Sequence, residues 1–457
     1  MTSERASLEG LPDELLLGIL FHLRTIRSFG IYSPTFDESK EKARQQENRL
    51  RQLSLSNLCR TSRHLNRLTI PALYAAFTGS STWPGIGSLR RFHQEITAPR
   101  GSLGGDSTYA SHLQYVENRF SDYQGNDHFA NLDDPSDLYM LKEYFSLLAG
   151  IINAAPNLQH ISVANVETSD VSFLKHVLRE DSAGTSGCTI VADHGLSRLQ
   201  TLFVEMEMDE EWGLRKLREA SIYSIYSALA SLPSLSDFRV AGARMTPTIG
   251  PKVNVGQFRN LQRLEITHCL MEMSQMNIIL SACEGLRHIV CHWEWLESDK
   301  TVDVLRPGLR KHSHTLETLS LDFRGVQWMS ESYGNSGSIG SLRQFDHLHT
   351  LEITDTYFLT RFEYGPNGHY RAPTSKVAEL LPLSLKMLNL FVDIADSPGF
   401  ANSLDDSDSL WDLSAACNSS LINLSAITVE GIGPNDNIET LMSSFEQAGV
   451  LCEFIVD

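Results

Sequence analysis

No CxxC pair occurs among the seven scattered cysteines, and their number is odd. A disulfide framework is therefore not expected, and the thiols read as reduced, in cytoplasm or nucleus. The stretch MTSERASLEGLPDE lacks the apolar core and small-residue cleavage site of a secretory signal. No apolar run approaches the roughly 18 residues that a membrane span needs. The best of them lies around 147–152. Basic charge is scarce: 38 Lys and Arg stand against 56 Asp and Glu, a formal charge of −18. Nucleic acid and anionic membrane both call for a basic face, so neither is expected as a partner.

Catalytic signatures are missing as well. There is no Gly-rich loop leading into Lys-Ser/Thr, no HExxH and no GxSxG elbow. Gly105-Asp106-Ser107 echoes a lipase triplet but follows no strand pattern, and Asp209-Glu210-Glu211 reads as loop charge. His268, Cys269, Cys283, His288, Cys291 and His292 come from neighbouring segments, yet their spacing fits no familiar zinc pattern. The expectation is a protein without catalytic residues, metal or cofactor.

What is present falls into three zones. Residues 8–78 are helical in pattern, interrupted by a polar insert at about 27–48. Within 40–68, eight basic residues face two acidic ones, so the acidic excess lies elsewhere and an acidic partner is expected here. Residues 79–135 are rich in Gly, Ser, Asp and Asn and read as linker and loops, with one short element at Leu113–Val116. From 136 to 457, helical and strand patterns alternate.

The alternation carries a repeat, apolar-x-x-apolar-x-apolar. Its copies are Leu158-Ile161-Val163, Leu199-Leu202-Val204, Leu235-Phe238-Val240, Leu261-Leu264-Ile266 and Leu286-Ile289-Cys291. They continue as Leu316-Leu319-Leu321, Leu348-Leu351-Ile353, Leu385-Leu388-Leu390, Leu424-Ile427-Val429 and Leu451-Phe454-Val456. Apolar residues at helical spacing precede many copies, as with Leu141, Phe145, Leu148 and Ile152, or Ile438, Leu441 and Phe445. A doubly wound sheet or an eight-stranded barrel would bury both strand faces and give continuous apolar runs. Here the strands alternate, as in LQRLEIT, which suits a solenoid with a curved parallel sheet and one polar face. The intervening side chains should form its concave binding surface. Phe203, Arg239, Glu265, His292, Asp322, Glu352 and Phe391 are the candidates, with Glu205, Arg263, His288 and Asn389 beside them.

The copies resemble the leucine-rich repeat, best at Leu261-Leu264-Ile266-Cys269; the resemblance implies a small buried residue at Cys269. The first zone resembles an F-box, and the whole a fungal-type F-box protein with degenerate repeats. The resemblance rests on Leu11, Pro12, Glu14, Leu15, Leu16, Ile19 and Leu20, and on LSLSNLCRTSRHLNRLTIPALYAAF at 53–77. The insert between Leu23 and Leu53 is far longer than that family's turn. The resemblance implies docking on a Skp-family adaptor through Leu11, Pro12, Leu15, Leu16, Ile19, Leu20, Leu58 and Cys59. It further implies a non-catalytic, substrate-recognition role in a cullin ubiquitin ligase, with the repeats binding a protein target. The alternative is a protein-binding scaffold outside any ligase. The residues themselves say that the apolar arc from Leu15 to Leu23 is too broad for so small a helical unit to bury alone.

Overall fold

The computed structural model of the chain describes residues 8–28, 38–80, 83–98, 109–119, 135–165, 177, 196–206, 229–230, 232–242, 257–294, 296–298, 301–328, 338–354, 377–392, 407–431 and 438–455. They form two compact units: residues 1–220 with 232–235, and residues 221–231 with 236–457.

The first unit opens with three helices, α1 (Asp13–His22), α2 (Glu38–Cys59) and α3 (Arg63–Leu73). Pro12 stands just before α1, where a missing N–H costs nothing, and Asp13 and Glu14 oppose the positive end of the helix. Ser62 caps α3 by accepting from the Leu65 amide at 3.2 Å. Much of the expected polar insert is helical: α2 begins at Glu38 and runs unbroken into the apolar segment. Its first turns are built from Lys, Glu, Arg, Gln and Ala, good helix formers whose polarity reads as loop when only apolar spacing is followed.

Four parallel strands follow: β1 (Ala76–Ser80), β2 (Tyr115–Arg119), β3 (His160–Asn165) and β4 (Thr201–Met206). The stretch 79–135, expected as linker and loops with one short element at Leu113–Val116, contains α4 (Trp83–Thr97) as well as β2, which overlaps that element. Register aligns Phe77 with Val116 and Ile161, and Gly79 with Asn118 and Val163. Two further copies of the repeat thus precede the first one visible in sequence; Gly and Asn at the third apolar position hide them. Asn118 is buried, donating to the Ala164 carbonyl at 2.7 Å and accepting from the Tyr144 hydroxyl. Tyr144 lies on α5 (Pro135–Ala154), whose Leu141, Phe145, Leu148 and Ile152 are all buried.

The second unit holds β5 (Asp237–Ala241), β6 (Arg263–Cys269), β7 (His288–Trp293), β9 (Thr318–Asp322), β11 (Thr350–Thr354), β12 (Met387–Phe391), β13 (Ala426–Glu430) and β14 (Leu451–Ile455), paired parallel in that order. The intervening β8 (Leu296–Ser298) and β10 (Val326–Trp328) pair separately. The order is linear rather than closed, with β14 paired to β13 alone among the described strands. Leu264, Ile289, Leu319, Leu351, Leu388 and Ile427 form one buried row across the strands. Just before the strands, Arg287, Glu317, His349, Lys386 and Ser425 each donate an amide to the preceding copy, a ladder that repeats at 2.7–2.9 Å.

The tenth copy sits two residues away from its expected frame. Cys452 aligns with Ile427 and Phe454 with Val429, and Leu451, read as the first leucine of that copy, is 73% exposed. A slip of two residues keeps Cys452 and Phe454 on the same face, so alternation alone does not choose between these frames. Before β14, the helix Ile438–Gln447 buries Leu441 and Phe445, as its spacing predicts. The helical pattern at Ile222 and Tyr226 and the triplets Gly105-Asp106-Ser107 and Asp209-Glu210-Glu211 lie outside the described residues.

Candidate functional site

Two surfaces of the chain carry the residues singled out above. On α1, Leu16 and Leu20 are 2% and 4% exposed and belong to the helical motif's own core with Leu55 and Leu65. They are not available to a partner. Leu15 and Ile19, by contrast, are 56% and 42% exposed. Pro12 is also exposed, while Leu11, Leu58 and Cys59 are half-buried. Leu17 and Phe21 join the exposed set, with Leu8 before the helix and Leu50 and Leu53 on α2. They escaped notice because α1 is apolar on every side, so spacing picks out no single face. Asp13 ties α1 to α3, at 3.0 Å from His64 and 3.7 Å from Arg67.

The basic window is partly consumed internally. Arg44 reaches Glu41 at 2.5 Å and Glu117 of β2 at 2.6 Å, and gives a further hydrogen bond to the Ile26 carbonyl. Burial works against its charge, but the two carboxylates outweigh it and hold the guanidinium ionised. Asn48 both accepts from the Ile26 amide and donates to its carbonyl. The Ser28 amide donates to the Tyr115 hydroxyl at 3.0 Å. Residues 26–28 and α2 are thereby fastened to the intervening side chains of β2. Arg49, Arg60 and Arg63 remain exposed.

The intervening face of β2–β4 is packed rather than open. Tyr115, Glu117, Ser162, Phe203 and Glu205 are all buried. Phe203 aligns with Ser162 in the expected row but does not project from it.

In the second unit, register sets one central column: Arg239, Glu265, Val290, Ser320, Glu352, Asn389, Thr428 and Glu453. Arg239, Glu265 and Glu352 stand where the sequence places them, and His292, Asp322 and Phe391 flank the column two residues further along their strands. Arg239 and Arg263 are not free anchors. Arg239 pairs with Asp237 at 2.8 Å, and Arg263 with buried Glu265 at 2.7 Å. Next comes a relay. The Ser320 hydroxyl donates to Glu352 Oε2 at 2.7 Å, which leaves its lone pairs to accept from His292 Nε2 at 2.9 Å. Asn389 donates to Glu352 Oε1 at 3.2 Å. Burial lowers the His292 pKa below the ordinary histidine value, so the ring is neutral at pH 7.

Beyond the relay, Arg324 bridges Asp322 at 2.8 Å and Glu430 at 2.7 Å, its guanidinium 4.5 Å from the Phe391 ring centroid. Burial alone would raise the Asp322 carboxyl, but hydrogen bonds and charge from Arg324 hold it below the usual carboxylate range. Ser320 and Val290 could have been found by counting register from Glu265. Arg324 and Glu430 could not, because no sequence signal brings a side chain beyond β9 to the end of β13.

The cysteine–histidine cluster is split between faces. Cys291 is buried with its Sγ 3.6 Å from Met276 Sδ, whereas His292 turns to Ser320. Cys269 is a small buried residue, its thiol pushed up to about 12 by burial. No helix among the described residues is long and apolar enough to cross a membrane. No curated protein matches the chain. Residues 229–456, which span the second unit's strands from β5 to β14, match the family model of a leucine-rich repeat domain.

Proposed function

We propose that the chain is the substrate-recognition subunit of a Skp–cullin–F-box type ubiquitin ligase. In this reading α1–α3 dock a Skp-family adaptor, and the repeats hold the protein to be modified. The observation that carries it is the exposure of Leu15, Leu17, Ile19 and Phe21 on one short helix. Four large apolar side chains left in water beside an already filled core call for a partner surface. A leucine-rich repeat domain suggests protein–protein interaction, which supports the second half. The chain contributes no chemistry: it raises the target's effective concentration near a conjugating enzyme brought by the cullin, in cytoplasm or nucleus.

The test is co-purification of the full chain with a Skp-family adaptor and a cullin. A stoichiometric ternary complex is the expected result. Adaptor binding without cullin would place the chain in a scaffold outside a ligase, and no adaptor binding would end the F-box reading.

A further inference from the structure

We infer that Glu352 seats a basic side chain, lysine or arginine, of the protein bound on the repeats. The inference rests on the reading that the repeats bind protein, and it names the chemistry of that protein at one point.

The charges of the column decide it. At the β5–β6 end, Asp237 and Glu265 are answered by Arg239 and Arg263. On the other flank, Asp322 and Glu430 share Arg324. Between them, Glu352 accepts only from neutral donors, Ser320 and Asn389, and no cation pairs with it among the described residues. A carboxylate offers about four acceptor sites, so the two bonds fix its orientation and leave both oxygens capacity for another donor. His292 cannot supply the charge, since its Nε2 is turned to Ser320 and burial keeps the ring neutral.

The surroundings suit the same occupant. Anionic groups are disfavoured. Arg324, the cation of the neighbouring flank, is held by two carboxylates, and a bound acid would meet Glu352 directly. An ammonium or guanidinium would instead complete a pre-oriented carboxylate, an arrangement that favours complementary partners over others.

The full chain, immobilised, is used to select from a displayed library of short random peptides, in parallel with Glu352→Gln. Peptides enriched on the natural chain over the variant should carry Lys or Arg at one shared position. Changing that residue to Gln in a synthetic peptide should weaken binding about tenfold. Glu352→Gln should cost the same factor, and combining both changes should add nothing. The peptide substitution leaves the protein untouched, so its effect stands even if the variant folds poorly. Enriched peptides without a basic residue, or peptides indifferent to both changes, would overturn the seat while leaving protein binding by the repeats intact. Failure of any peptide to be enriched over bare support would overturn the seat and the binding reading together.

Discussion

Arg44 on α2 grips Glu117 on β2 with two hydrogen bonds, Nη1 to Oε2 at 3.1 Å and Nη2 to Oε1 at 2.6 Å. Glu117 is buried, and the Tyr115 hydroxyl donates to it at 2.5 Å. Removing one partner of such a pair strands the other charge away from water. Arg44→Met should therefore destabilise the first unit by about 3 kcal/mol, whereas Arg44→Met with Glu117→Gln should recover much of the loss. Denaturant unfolding followed by hydrogen exchange at β2 measures both. Equal stability of Arg44→Met and the natural chain would show the pair to be energetically idle.

The two faces of α1 should respond in opposite ways. Leu15→Asp with Ile19→Asp places charges on exposed positions and should leave the helical content and melting behaviour unchanged while abolishing adaptor binding. Leu16→Asp with Leu20→Asp places them among Leu55 and Leu65 and should unfold the three helices. Circular dichroism and adaptor pull-down on the two double mutants separate the roles. Retained binding by the Leu15/Ile19 variant would remove α1 as the docking helix.

The contrast between those faces also marks what sequence could supply. Alternating polarity in segments such as LQRLEIT set the strands and a parallel sheet that does not close, because side chains alternate across a strand, but not that Glu265 and Thr267 on the polar face are buried as well. It failed where a polar residue took an apolar place, as Asn118 does beneath Tyr144, and where a two-residue slip keeps the same face inward, as in β14. Of the candidates, the place of Glu352 in the central column was legible from register alone. Whether a charged side chain is free or already answered was not, since Arg239 and Asp237 stand two apart on one strand and nothing in the spelling says that they pair. Arg44 is the same lesson at longer range: its partner Glu117 lies 73 residues away.

Acid should loosen the second unit through His312. The ring is buried, its Nδ1 accepting from the Leu286 amide at 3.2 Å and its Nε2 donating to the Leu280 carbonyl at 3.0 Å. A proton on Nδ1 would abolish the first bond. Burial lowers the pKa below the ordinary 6.5, helped by the Lys311 charge and opposed by the Leu280 carbonyl. A depressed histidine pKa means that the unfolded chain binds the proton more readily. The contribution of His312 is then complete above about pH 6.5 and is lost as pH falls toward the folded value. Urea midpoints at pH 7.5 and 5.5 should differ by less in His312→Gln than in the natural chain. An unchanged difference would assign the acid sensitivity to other groups, such as His288 and His292, whose pKa values are lowered as well.

The copy built on β14 should protect the edge of the copies before it. Phe445 is fully buried beneath the helix Ile438–Gln447, whose Ser444 hydroxyl meets Ser414 of the preceding helix, Ser407–Cys417, at 2.9 Å. β14 in turn covers the backbone edge of β13, as in the bond from the Leu451 amide to the Ser425 carbonyl at 2.9 Å. Deleting residues 436–457 would uncover that edge together with Val429 and Leu413, an unpaired strand beside bare apolar surface. Aggregation is the expected outcome, seen as loss of monomer by light scattering. Phe445→Ala separates packing from edge exposure: it leaves β14 in place and should cost about 3–5 kcal/mol while the protein stays soluble. A deletion mutant as soluble and as stable as the full chain would show that the copies before β14 close the core without it.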